Sequence, residues 1–139
     1  MITAVDTNVL IDVFGADKKF GLGSASALRL CLSEGALIAS SVVWAETATV
    51  FDNLKRFRDA MRRLPVSFSP MNEDVAVKAA ETWTKYRASG GPRIRIVADF
   101  LIGAHAMTCA DRLLTRDRGF YRHYFAGLRM VDPVAKPND

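Results

Sequence analysis

Short apolar runs divided by polar punctuation make up most of the chain, and their spacing switches between strand period and helix period. Residues 2–5 (Ile-Thr-Ala-Val) read as a first strand, and 8–14 as a short helix with Asn8 near its start. A turn-rich connection from Gly15 to Gly23 leads to Ser24, the expected N-cap of a helix through Ser33 that Gly35 stops. Ala36-Leu37-Ile38-Ala39 predicts a second strand, and Ser40 and Ser41 cap the helix that carries Val42, Val43, Ala45, Ala48, Thr49 and Phe51. Residues 54–64 follow as a basic amphipathic helix. Pro65-Val66-Ser67-Phe68 reads as a third strand, and Asn72 caps a helix to Ala88 that Gly90-Gly91-Pro92 ends. Arg93 to Val97 is a basic loop or short extended segment. Beyond it the pattern predicts a helix over 98–110, a strand at Leu113-Leu114, a turn or helix over 118–124 and a last strand over 128–131. This alternation predicts an α/β fold, a three-layer α/β/α sandwich with a largely parallel central sheet. A single domain over 1–133 and a short tail over 134–139 are expected.

Composition changes this picture little. At 139 residues the chain can bury a core of its own, and 50% hydrophobic with 24% charged residues is ordinary for a globular domain. No apolar stretch approaches the roughly 20 residues that span a bilayer, and no signal-peptide pattern opens the sequence. Cys31 and Cys109 are too few and too isolated for a disulfide framework or a thiolate metal site, so the expected compartment is the cytosol with both thiols reduced.

The chemistry lies in where the acids fall. Asp6 closes the first strand, with Thr7 and Asn8 beside it, and Asp117 closes Leu113-Leu114-Thr115-Arg116. Glu46 sits about one turn into its helix, and Asp99 at the start of another. In a parallel sheet the carboxyl ends of the strands, and the helices that follow them, share one edge. All four acids are therefore expected to face one crevice. Two carboxylates about 4 Å apart repel by roughly 4 kcal/mol at an effective dielectric near 20, so such a cluster asks for a cation. Oxygen-only ligands suit Mg²⁺ or Mn²⁺; zinc fits poorly, because His105 and His123 are the only histidines and neither has a partner at ligand spacing. A hard divalent ion above carboxylates suits phosphodiester hydrolysis by an activated water, with Thr7, Asn8 and Thr115 orienting the carboxylates or the metal's waters.

The net charge of +4 favours a polyanionic partner only weakly. The local pattern says more: Lys55, Arg56, Arg58, Arg62 and Arg63 crowd the 54–64 helix, and Arg93, Arg95, Arg112, Arg116, Arg118 and Arg122 surround the later acids. Arg56, Arg58, Arg62, Arg93, Arg95 and Arg116 are the candidate nucleic-acid contacts. Each residue also has a plainer reading, since a strand-tip aspartate is commonly an N-cap and a lone arginine a solvated surface charge. Asp12, Asp52, Asp59, Asp74 and Asp111 read as surface or capping acids, His105 as a packed histidine, and Trp44 and Trp83 as core. Phe14, Phe20 and Phe57 are either core or the wall of a partner groove.

The segments Val5-Asp6-Thr7-Asn8-Val9-Leu10-Ile11-Asp12, Ser41-Val42-Val43-Trp44-Ala45-Glu46, Val97 to Ala106 and Leu113 to Phe120 together resemble the PIN-domain ribonucleases, and within them the VapC-type toxins of toxin–antitoxin pairs. Phe125 to Pro133 resembles that family's last strand, so the likeness runs from residue 2 to 133. It implies a four-acid metal site of Asp6, Glu46, Asp99 and Asp117, supported by Asn8 and Thr115. It further implies Mg²⁺- or Mn²⁺-dependent endonucleolytic cleavage of RNA, a homodimer, and an antitoxin protein whose tail covers the site. A non-toxin RNA-processing nuclease of the same family is the nearest alternative. A haloacid-dehalogenase-type phosphotransferase needs a second aspartate where Asn8 stands, and a receiver domain needs an acidic pair near the first strand. A non-catalytic binding module using the basic helix is disfavoured by acids at all four positions.

Overall fold

A computed structural model describes residues 1–91 and 97–134. In chain order the elements are β1 (Ile2–Val5), α1 (Thr7–Phe14), α2 (Gly21–Glu34), β2 (Ala36–Ser40), α3 (Ser41–Ala48) and α4 (Leu54–Arg63). They continue with β3 (Val66–Ser69), α5 (Glu73–Ala88), α6 (Val97–Cys109), β4 (Arg112–Leu114), α7 (Arg118–Tyr124) and β5 (Met130–Val131). The strands form one parallel sheet in the order β3-β2-β1-β4-β5. In β1, Thr3, Ala4 and Val5 are all buried. Successive strand side chains point to opposite faces, so both faces of this strand are covered, as a parallel sheet requires. The expected three-layer α/β/α architecture is the one observed.

Strand order matters most for the site. The chain winds outward from β1 through β2 to β3, then returns to lay β4 and β5 on the other side of β1. Winding reverses between β1 and β4, and at such a switch point the loops beyond the strand ends part to leave a crevice. Thr3 pairs in register with Arg112, and Val5 with Leu114. The Asp6 N–H extends that pairing to the Leu114 carbonyl at 2.9 Å. The two strand tips therefore end side by side.

Local chemistry sets the helix starts. Asp6, Ser40, Asn53 and Asn72 are N-caps whose side chains accept, respectively, from the Thr7, Val43, Arg56 and Val75 N–H groups. α4 turns Phe57 and Met61 into the core and leaves its cations outside. α6 packs closely on the end of α7: a Cβ on Gly103 would run into the Phe125 ring. The Phe100 ring lies 5.2 Å from Phe120 and 6.4 Å from Phe125, edge-on or tilted.

Three expectations need correction. Ser24 is not a cap: α2 begins at Gly21, and Ser24 is fully buried one turn inside, donating to Asp12 at 2.8 Å. Asp12 is not a surface acid but 3% exposed. The last strand shrinks to Met130–Val131, because Leu128 closes a turn on the Phe125 carbonyl with Gly127 at φ 91°. Phe57 is core, Phe14 is half-buried, and Trp44 and Trp83 pack on the core only in part. Among the described residues, no helix is long and apolar enough to cross a membrane.

Candidate active site

Asp6 is the anchor, 6% exposed at the tip of the central strand. Its Oδ1 accepts the Thr7 N–H at 2.7 Å. Its Oδ2 accepts the Thr115 hydroxyl at 2.8 Å, the Tyr121 hydroxyl at 3.2 Å and the Asn8 amide at 3.4 Å. Among the described residues only these neutral donors reach it. Burial pushes its pKa from 3.8 up to about 6 against the pull of the Thr115, Thr7 and Tyr121 hydrogen bonds, and the charge of Asp99 pushes the same way. A carboxylate in this position is poised to take a proton or a cation.

The other three acids come from separate elements around the same edge. Glu46 lies on α3, the helix that leaves β2 beside β1, and its Oε1 accepts the Thr7 hydroxyl at 2.8 Å. Thr7 thus touches two acids at once, one through its N–H and one through its hydroxyl. Asp99 lies in the first turn of α6, and its charge acts on both Asp6 and Tyr121. Asp117 is the N-cap of α7 just beyond β4, and its N–H donates to the Thr115 hydroxyl oxygen at 2.9 Å. The Tyr121 hydroxyl is driven above its ordinary range by burial, then by Asp6, Asp99 and, least, Asp117. One phenol therefore senses three of the four acids.

Proximity is partial. Among the described residues, no group of three or more His, Cys, Asp or Glu side chains is drawn together tightly enough to enclose a metal ion. Asp6 and Glu46 are oriented by protein hydroxyl and amide donors. The donor set is nonetheless all oxygen and hard, which fits Mg²⁺ or Mn²⁺ and not zinc. His105 contributes nothing to it: the ring is buried on α6, 2.9 Å from the Ser69 hydroxyl, and burial lowers its pKa.

Thr7, Asn8 and Thr115 each donate a hydrogen bond to Asp6, Asn8 also accepting the Arg116 N–H at 3.3 Å. The sequence signals Tyr121 only weakly, through its place one helical turn beyond Asp117. The arginines divide. Arg56, Arg58 and Arg62 stand exposed on α4, Arg56 paired with Asp52 at 3.1 Å and Arg62 with Asp59 at 3.8 Å. The Arg116 guanidinium is taken up by Asp12 and lies over the Phe20 ring, 4.0 Å from its centroid. Arg93 and Arg95 lie outside the described residues.

Comparison with known proteins places this geometry. The PIN domain family model matches residues 3–126. The chain belongs to the PIN domain family. No curated protein matches the sequence. Among solved structures, VapBC-1 from nontypeable Haemophilus influenzae aligns with TM-score 0.73 at 20% identity, covering 97% of this chain and 100% of that one. VapBC2 from Rickettsia felis, bound to a DNA fragment from its promoter, gives 0.73 at 17% identity over 95% and 98%. A toxin–antitoxin complex from Klebsiella pneumoniae gives 0.68 at 20% over 96% and 99%. Identities this low establish a common fold. Within this PIN domain, Asp6, Glu46, Asp99 and Asp117 rim the edge where the sheet reverses its winding.

Proposed function

We propose that this PIN domain is a metal-dependent endoribonuclease and the toxin of a toxin–antitoxin pair. The observation that carries the reading is Asp6: a buried carboxylate at the switch point, reached by neutral donors, with Asp99 raising its pKa further. Asp6, Glu46, Asp99 and Asp117 would hold Mg²⁺ or Mn²⁺. Such an ion, when bound, supplies positive charge at the scissile phosphodiester and acidifies a water.

The chain's own residues do the rest. Thr115, Tyr121 and Asn8 donate to Asp6 Oδ2, while Oδ1 accepts one backbone N–H and retains capacity for a further partner. Thr7 fixes Glu46 through its hydroxyl. The exposed cations of α4 offer a surface for the RNA backbone, each contact releasing counterions. An RNA substrate, rather than DNA, follows from the family resemblance of the motifs.

Structural neighbours described as VapBC or toxin–antitoxin complexes support an antitoxin partner. A groove of about 400 Å³ lined by Phe14, Phe51, Arg56, Asp59, Ala60 and Arg63 offers an apolar floor and a largely cationic rim for its tail. A homodimer in the cytoplasm completes the proposal.

The test is cleavage of RNA by purified protein at saturating Mn²⁺. Asp6→Asn is expected to abolish cleavage while circular dichroism shows an intact fold. Near-full activity in that variant would remove the four-acid site from consideration. In cells, expression is expected to arrest growth, and Asp99→Asn to relieve the arrest.

A further inference from the structure

Arg116 stands between two residues of the candidate site, Thr115 and Asp117, yet its side chain is committed elsewhere. Nε donates to Asp12 Oδ2 at 2.7 Å and Nη2 to Asp12 Oδ1 at 3.1 Å, a bidentate fork. Asp12 Oδ2 also accepts the Ser24 hydroxyl at 2.8 Å, and the guanidinium rests on the Phe20 ring. The Arg116 N–H donates to Asn8 Oδ1. Asp12 belongs to α1, the helix that Asp6 caps. The pair therefore references the turn over 115–117 directly to the helix that carries Asp6.

Stability alone does not explain this arrangement. Asp12 is taken almost wholly out of water and Arg116 in part, which is expensive, and a well-packed apolar pair of similar volume often serves the fold as well or better. What a planar fork on a buried carboxylate adds is direction. Direction is what the turn needs: Thr115 holds Asp6 Oδ2, and the Thr115 hydroxyl oxygen in turn receives the Asp117 N–H.

We propose that Asp12 and Arg116 form a positioning clamp that sets Thr115 and Asp117 relative to Asp6, and that Arg116 is not an RNA contact. The clamp acts through the acids without touching substrate. It rests on the four-acid reading given above.

The experiment compares the unaltered chain with Arg116→Lys, Arg116→Gln, Asp12→Asn, the Arg116→Lys/Asp12→Asn double variant, and Asp6→Asn as reference. Mn²⁺ affinity is measured by titration calorimetry, alongside kcat, KM, the salt dependence of RNA binding and the thermal midpoint. Each clamp variant is expected to lose roughly 10- to 100-fold in Mn²⁺ affinity, as when a group supporting a metal ligand is removed. The double variant should be no worse than the poorer single one, because the two side chains act as a unit. The expected kinetic pattern is a lower kcat with KM and the salt slope unchanged.

Arg116→Lys keeps the charge and loses the fork, so wild-type Mn²⁺ affinity in that variant, with only a lower midpoint, overturns the clamp in favour of a purely structural pair. A salt slope shallower by about 0.7 in Arg116→Gln, with metal affinity intact, overturns it in favour of a phosphate contact. If Asp12→Asn does not fold, Arg116→Lys decides the matter. Loss of metal binding and cleavage in Asp6→Asn but in neither clamp variant sinks the clamp alone; their retention in Asp6→Asn sinks the four-acid site and the clamp together.

Discussion

At the edge where the strands begin, the buried Arg112 guanidinium meets Glu34 at 2.9 Å and the Thr3 hydroxyl at 2.8 Å, and Asp111 accepts the Ile2 N–H at 2.6 Å. At the edge where they end, Asp6 is as deeply buried as Arg112, yet only hydroxyls and amides approach it among the described residues. The first edge matches its buried charge with an opposite one. The second gathers like charges and leaves Asp6 near protonation. A carboxylate whose pKa is raised by burial and a neighbouring acid is the feature on which the proposed cation-binding edge rests. Asp12 makes the same point within one helix, since it lies less than two turns beyond Asp6 and receives Arg116 as a full partner.

The contrast can be tested most strongly through pH. Asp6 binds its proton more tightly in the folded chain than at its ordinary value of 3.8. Without metal, stability should be highest below the ordinary value and fall as pH rises from about 4 through about 6, by about 3 kcal/mol at 1.36 kcal/mol per pKa unit. Urea midpoints across that range measure the loss, and Asp6→Asn should flatten it; an equally steep decline in that variant would place its origin elsewhere.

Adding Mn²⁺ should reverse the penalty. At a hundred times its Kd the ion should stabilise the fold by about 2.7 kcal/mol near neutral pH. That gain should fade as pH drops below about 6, where Asp6 takes up a proton and competes with the ion. A thermal shift that is the same at pH 5 and pH 7.5 would count against Asp6 as a ligand.

The balanced edge should answer to mutation in the opposite sense. Arg112→Leu removes the cation from a pair whose acid is still partly exposed, so the expected cost is about 1–2 kcal/mol rather than the full price of a buried ion. Cleavage per folded molecule should not change. The smallest effect is expected at Tyr121→Phe, which keeps the ring and deletes one donor to Asp6, about 1 kcal/mol. It should raise the Asp6 pKa and move the acidic limb of the pH–rate profile upward; an unmoved limb would show that the phenol does not tune this acid.

How much was legible beforehand depends on the range of each interaction. Caps at Asp6, Ser40 and Asn72 rest on contacts no more than three residues away, and the element pattern follows from them and from hydrophobic period. The fold class was legible for the same reason. Ser24 misled because a serine before an apolar run looks like a cap, while its real partner, Asp12, belongs to the preceding helix. Arg116 looked like one more cation in a basic cluster, and nothing nearby in sequence reveals that Asp12 holds it. The contact of Tyr121 with Asp6 spans 115 residues, too far along the chain for any local pattern to reveal.

The sequence by itself determined where chain segments become strands and helices, and that Asp6, Asp99 and Asp117 stand at element boundaries while Glu46 lies within a helix. Those outcomes are governed by side-chain period, backbone preference and caps, all local. Strand order was decided only in three dimensions: β4 returning beside β1 brings the Thr115 hydroxyl onto Asp6, and burial there raises the Asp6 pKa. Desolvation and charge coupling depend on what lies within a few ångströms in space, and no spacing along the chain encodes that distance.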